Sequence, residues 1–165
     1  MKRMAKKGFT LVEILIVVII LGILAAIVIP QFTEASAEAR ISNVMTNLQT
    51  IRSQLLLYKT QHQEVYAGST TDATIFGKQM TTYTNVTGGT SATPDTAHPY
   101  GPYLQTIPAN PVSGVATVTV VNNTATVFAA PAVDGGWWFN MATGEFRADL
   151  MDTHVTSDGT KLNTL

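Results

Sequence analysis

The chain has no cysteine among its 165 residues. That excludes a disulfide framework, a thiol nucleophile and a thiolate-bound metal. It does not exclude an oxidising compartment, because export does not require cysteine. Charge is also sparse, at 13% of residues, with ten basic against eleven acidic side chains. Histidine occurs only at His62, His98 and His154. These are too scattered for a His-Glu metal motif, and neither a serine elbow nor a glycine-rich phosphate loop is present. No catalytic constellation is legible, and each histidine is expected at the surface rather than as a ligand. Gly88-Gly89 reads as a turn.

The information lies at the other extreme of hydropathy, in the first thirty residues. Lys2, Arg3, Lys6 and Lys7 form a basic leader that ends at Gly8. Phe9-Thr10-Leu11-Val12-Glu13 follows, and then an unbroken apolar run from Ile14 to Ile29. As a helix, Phe9 to Ile29 would extend about 31 Å, which matches a hydrocarbon core of about 30 Å. One carboxylate, Glu13, stands at the head of this run. Such a group costs about 2.5–3.5 kcal/mol deep in a membrane and is by default functional. An α-amine created by cutting after Gly8 is the candidate partner, offered by a neighbouring copy's Phe9. The basic leader predicts a cytoplasmic N-terminus with the rest facing outward. Cleavage after Gly8 would leave six basic against eleven acidic side chains, a balance of −5, which does not favour nucleic acid. An ordinary secretory signal cut after Ala35-Ser36-Ala37, or a plain membrane anchor, remains open on these residues alone.

The segment Gly8-Phe9-Thr10-Leu11-Val12-Glu13 resembles the class III signal of type IV pilins and type II secretion pseudopilins. The resemblance implies a membrane peptidase that cuts after Gly8, N-methylation of Phe9, and an assembly-register role for Glu13. It also implies self-association into a helical filament, an inner-membrane assembly platform, and residence in the inner membrane before assembly into an extracellular or periplasmic fibre. The disulfide that closes a C-terminal loop in many members cannot form here. Two head segments, Tyr100–Pro111 and Gly136–Arg147, resemble those of a pilin and pseudopilin branch, most closely the major pseudopilin. A minor pilin or tip adhesin, which would bind its ligand through the 68–114 loops, shares the same N-terminus.

Beyond the leader at 1–8, periodicity predicts one helix over residues 9–60 in two halves. Residues 9–30 are apolar all round, as in a lipid-embedded or fully buried helix. Gly22 and Pro30 weaken this half, and a kink or local melting is expected near 26–30. In the 31–60 half, Ile41, Val44, Leu48, Ile51, Leu55 and Tyr58 recur at alternating steps of three and four. They form one stripe for packing against a head domain. Residues 61–114 read as an irregular loop region with a short helix at Asp72–Tyr83, capped by Asp72 or Thr71. Asn85-Val86-Thr87 and Asn122-Asn123-Thr124 match the glycosylation pattern.

Residues 115–165 read as β-sheet followed by a C-terminal loop. Val115–Val121 and Thr124–Ala129 are β-branched runs joined by Asn122-Asn123, which predicts a tight hairpin. Gly136–Asn140 and Gly144–Ala148 predict a second hairpin across Met141–Thr143. The fold class expected is α+β and pilin-like, a long helix on a small antiparallel sheet. Asp149, Asp152 and Asp158 lie in the tail near Thr153, Thr156 and Ser157. Hard oxygen ligands at loop spacing suit Ca²⁺, and the family's major pseudopilins carry calcium in a C-terminal loop. Calcium is therefore the one candidate cofactor.

Overall fold

The computed structural model describes residues 8–68 and 71–165. Residues 1–7, with most of the expected leader, lie outside the described residues. The chain forms two units, residues 1–38 and 39–165. The fold is α+β, as expected. Helix α1 spans Leu11–Gln61 and α2 spans Ala73–Thr81. Strands β1 (Tyr83–Thr84) and β2 (Thr90–Ser91) form a small antiparallel pair. Strands β3 (Val118–Val121), β4 (Trp137–Asn140) and β5 (Glu145–Ala148) form the main sheet, and a 3₁₀ turn covers Leu162–Thr164.

Within the first unit every described residue of α1 is exposed. Within the second, the same helix buries the stripe read from its periodicity: Val44, Leu48, Ile51, Leu55 and Tyr58. Ile41 is partly buried at the start of the stripe. These side chains join Phe76, Met80, Trp137, Phe139, Phe146 and Leu162 in one core cluster. Arg52 ties the helix to the sheet by donating Nε and Nη2 to the Phe146 carbonyl at 3.0 and 2.7 Å. It also donates to the Leu165 carbonyl. Helix α2 starts where expected, and Asp72 is its cap, accepting from the Thr74 amide at 2.7 Å.

The β4–β5 hairpin forms in the expected place, with Trp137 opposite Ala148 and Asn140 opposite Glu145. The β3 partner is different from the one the sequence predicts. β3 pairs with β4 in parallel, Val118 beside Trp137 and Val121 beside Asn140, so the main sheet is mixed. Residues 124–129 belong to no strand. Two side chains account for the change. The Asn123 side-chain oxygen accepts from the Ala125 amide at 2.8 Å, closing a local turn. The Asn140 amide donates to the carbonyls of Asn123 (2.9 Å) and Thr126 (3.3 Å), pinning the segment to the end of β4. Strand β4 is buried at all four positions. A strand buried on both faces needs ladder neighbours on both edges, and β3 is the β-branched run that supplies the second.

His62 is a correction to the surface expectation. It is 2% exposed and its ring stacks on Tyr58 at 3.7 Å. Nδ1 faces the Tyr58 carbonyl at 2.8 Å, and Nε2 faces the Thr84 hydroxyl at 3.0 Å. A carbonyl can only accept, so the neutral ring carries its proton on Nδ1, and Nε2 accepts from Thr84. Tyr58, Tyr100 and Tyr103 are the titratable groups against the ring. No carboxylate is paired with it among the described residues.

Two expectations follow. Trp137 is fully buried and donates its indole N–H to the Pro108 carbonyl at 2.8 Å. Trp137→Ala should therefore destabilise the head by about 3–5 kcal/mol, read as a fall in melting temperature of the detergent-solubilised chain. Burial holds the His62 pKa below its ordinary value, against the hydrogen bond to the Tyr58 carbonyl. The unfolded chain then takes up a proton more readily than the folded one, so stability is full above about pH 6.5 and drains as pH falls below it. The drop in melting temperature between about pH 7.5 and about pH 5.5 should shrink in His62→Gln, whatever that variant's absolute stability.

Candidate functional site

The candidate site is the start of α1. Gly8, Phe9 and Thr10 are non-helical and exposed, and the helix begins at Leu11. Its first turn is closed by a reciprocal cap. The Thr10 amide and hydroxyl both donate to Glu13 Oε2 at 2.8 Å. In return the Glu13 amide donates to the Thr10 hydroxyl at 3.2 Å. This is a capping box, in which two side chains satisfy amides that the helix start leaves bare. It also sets a negative charge at the positive end of the helix dipole. Both hydrogen bonds fall on Oε2, so Oε1 keeps its capacity to accept from a further donor. Thr10 was not singled out from the sequence, although Thr-x-x-Glu before an apolar run is the signature of such a cap.

The rest of this unit is bare apolar surface. Each large apolar side chain between Leu11 and Ile29 is 51–80% exposed. Among the described residues α1 is the one helix long and apolar enough to cross a membrane. Gly22 and Pro30 both lie inside the helix, which continues through them in the isolated subunit. Pro30 has no N–H, so the Ala26 carbonyl loses its usual donor. Three residues on, the Thr33 hydroxyl donates to the carbonyls of Ile29 (3.0 Å) and Pro30 (2.8 Å). The helix is thus one bond short near the expected weak point, while its ladder is otherwise intact.

The three tail aspartates are not brought together. Burial pushes the Asp149 carboxyl up, partly offset by a hydrogen bond from Thr119. Asp152 is held by Lys161 at 2.5 Å and by the Asn163 amide at 2.9 Å. Asp158 takes the Thr156 hydroxyl and the Thr160 amide. Among the described residues no group of three or more His, Asp or Glu side chains converges to hold a metal. The other two histidines pair with single aspartates, His98 with Asp95 at 2.9 Å and His154 with Asp134 at 2.7 Å.

Comparison with known proteins agrees with this geometry. Residues 3–29 match the family described as the prokaryotic N-terminal methylation motif. The chain is 42% identical over 59 residues to the type II secretion system core protein G of Pseudomonas aeruginosa, covering 36% of this chain and 42% of that protein. It is 42% identical over 69 residues to the type IV major fimbrial protein FimA of Dichelobacter nodosus, covering 40% and 44%. A fimbrial protein of Neisseria meningitidis is 35% identical over 80 residues, covering 46% and 47%. The chain thus spans less than half the length of the curated relatives it matches. No solved structure matches it. With a methylation motif at its N-terminus and a capped glutamate at the head of a bare apolar helix, the chain is similar over part of its length to type IV fimbrial proteins and to the type II secretion system core protein G.

Proposed function

We propose that this chain is a structural subunit of a helical filament, of the type IV pilus or type II pseudopilus kind. The observation that carries the reading is the start of α1. A carboxylate with one committed and one open oxygen stands at the head of an apolar helix surface that nothing in the subunit covers. Lipid covers that surface while the subunit waits in the inner membrane, and copies of the same helix cover it in the fibre. A peptidase cuts between Gly8 and Phe9, where the chain is non-helical and exposed, and the new amine of Phe9 is methylated.

Glu13 then selects register. The attraction between its carboxylate and a neighbour's Phe9 amine is strong only when helices slide to the matching level. At any other level the charge is buried without a partner, which costs about 3–5 kcal/mol. Apolar burial along Ile14–Ile29 is non-directional and supplies adhesion rather than register. Pro30 and Gly22 give the helix a place to lengthen as it leaves the bilayer.

The intact mass and N-terminal sequence of the exported protein test the processing step. A start at Phe9 with one added methyl group is expected. A start at Glu38, or a retained leader, would overturn the filament reading. For register, Glu13→Ala should still insert in the membrane but yield at least tenfold less sheared filament, given about 1.4 kcal/mol per tenfold change and the penalty above. Wild-type yield from Glu13→Ala would remove Glu13 from assembly.

A further inference from the structure

Between the apolar run of α1 and its buried stripe the helix carries three charges, Glu34, Glu38 and Arg40. All three residues are exposed. None has a hydrogen-bond or ion-pair partner among the described residues. The other described cations are spoken for. Lys59 pairs with Glu64, Arg147 with Glu145 and Lys161 with Asp152. Arg52 is spent on the carbonyls of Phe146 and Leu165. The Thr74 amide first, and Lys78 in smaller part, hold the Asp72 carboxyl below its usual range, so Lys78 has an acidic neighbour too. Helical spacing keeps the three charges apart. Glu34 and Glu38, four residues apart, share a face as a like-charge pair, which weakens a lone helix. Arg40 stands two residues past Glu38 and six past Glu34, on another side of the turn, and does not face either.

The stagger of the proposed filament brings these charges together between copies. With a neighbour's Phe9 amine level with Glu13, that neighbour is displaced by four residues, about 6 Å along the helix. The copies are identical and parallel, so the displacement is the same at every level, whatever each helix does at Gly22 and Pro30. The neighbour's residue 36 then stands level with Arg40. Arg40 falls midway between the neighbour's Glu34 and Glu38, about 3 Å along the axis from each. A guanidinium has five donors in a planar fork, and two carboxylates one turn apart can share it. With no stagger, Arg40 would stand level with the neighbour's own Arg40 and about 9 Å from its Glu34. With the stagger reversed, it would stand level with Val44, about 9 Å past Glu38. The displacement that serves Glu13 is the one that centres Arg40. An acidic face on one copy and a cation on a different face of the next make a heterologous contact, which propagates as an open helix.

We infer that Arg40 of each copy bridges Glu34 and Glu38 of its neighbour, as a second register contact at the same displacement as the Glu13–Phe9 pair. The bridge rests on the filament reading and deepens it. An exposed ion pair contributes little by itself, but this one repeats at every subunit, and reversing one partner sets like charges face to face. Charge exchange in the full-length chain tests it, read as the yield of sheared filament, with membrane insertion and the subunit's melting temperature as controls. Arg40→Glu gathers three carboxylates and should lower the yield at least about tenfold. Glu34→Arg/Glu38→Arg should lower it likewise. The triple variant with all three exchanges restores opposite charges between copies and should return the yield to near the wild-type level. A role confined to one helix would not be rescued in this way. Wild-type yield from Arg40→Glu, or a triple variant that inserts but does not assemble, would overturn the bridge and leave the filament reading standing. The absence of native cysteine supplies a second measurement, which decides the matter should the triple variant fail to insert. Glu38→Cys/Arg40→Cys, co-expressed with the wild-type chain so that filaments form, is treated with a bis-maleimide that spans an arginine–glutamate pair. Covalent dimers well above the level of either single variant are expected, and their absence would overturn the bridge. Absence of wild-type filaments would overturn both the bridge and the filament reading.

Discussion

Water does not tolerate the surface that α1 presents from Leu11 to Ile29, and the rest of the molecule answers to that fact. Every large apolar side chain there is more than half bare. At about 25 cal/mol per Å² of apolar surface removed from water, covering it is a large favourable term. The same term is available from lipid and from other copies of the helix. A device that moves the helix from one cover to the other therefore works between two states of similar apolar burial. What discriminates between them has to be polar and local.

Glu13 is the one titratable side chain in the apolar stretch, and its cap explains how it can be there. Left alone, a carboxylate in that position would be a liability. Bonded to the Thr10 amide and hydroxyl, it repairs the helix start and sits at the favourable end of the helix dipole. The carboxylate is thus useful to the subunit before any partner arrives. Because both bonds converge on one oxygen, an incoming amine need not displace the cap. In the register selection proposed above, the amine would then add an interaction instead of exchanging one for another.

Much of this was legible in the sequence, for particular reasons. The helical stripe from Ile41 to Tyr58 has a strict period and one face to bury, so its pattern survives any tertiary context. The cap at Asp72 and the Trp137–Ala148 hairpin depend on contacts a few residues apart. The failures are all long-range. Val115–Ala129 looks like a hairpin because its two β-branched runs flank Asn122-Asn123, but β4 competes for the first run and Asn140 captures the turn. His62 looked like a surface residue because nothing nearby in sequence shows that Thr84, Tyr100 and Tyr103 close over it. The tail aspartates looked like a cluster because they are close in sequence, and Lys161 and Asn163 draw Asp152 away.

The missing cysteine and the sparse charge bear on how the second unit meets its neighbours. Without a disulfide, its stability rests on the aromatic cluster of Phe76, Trp137, Phe139 and Phe146 packed on the α1 stripe. That packing uses one face of the helix and the inner face of the sheet. It leaves segment 127–133, with Val127 and Val133 largely bare, outside any ladder. An apolar stretch left in that state is a liability for a monomer. In the filament proposed above, the same stretch is apolar surface that a neighbouring copy could cover.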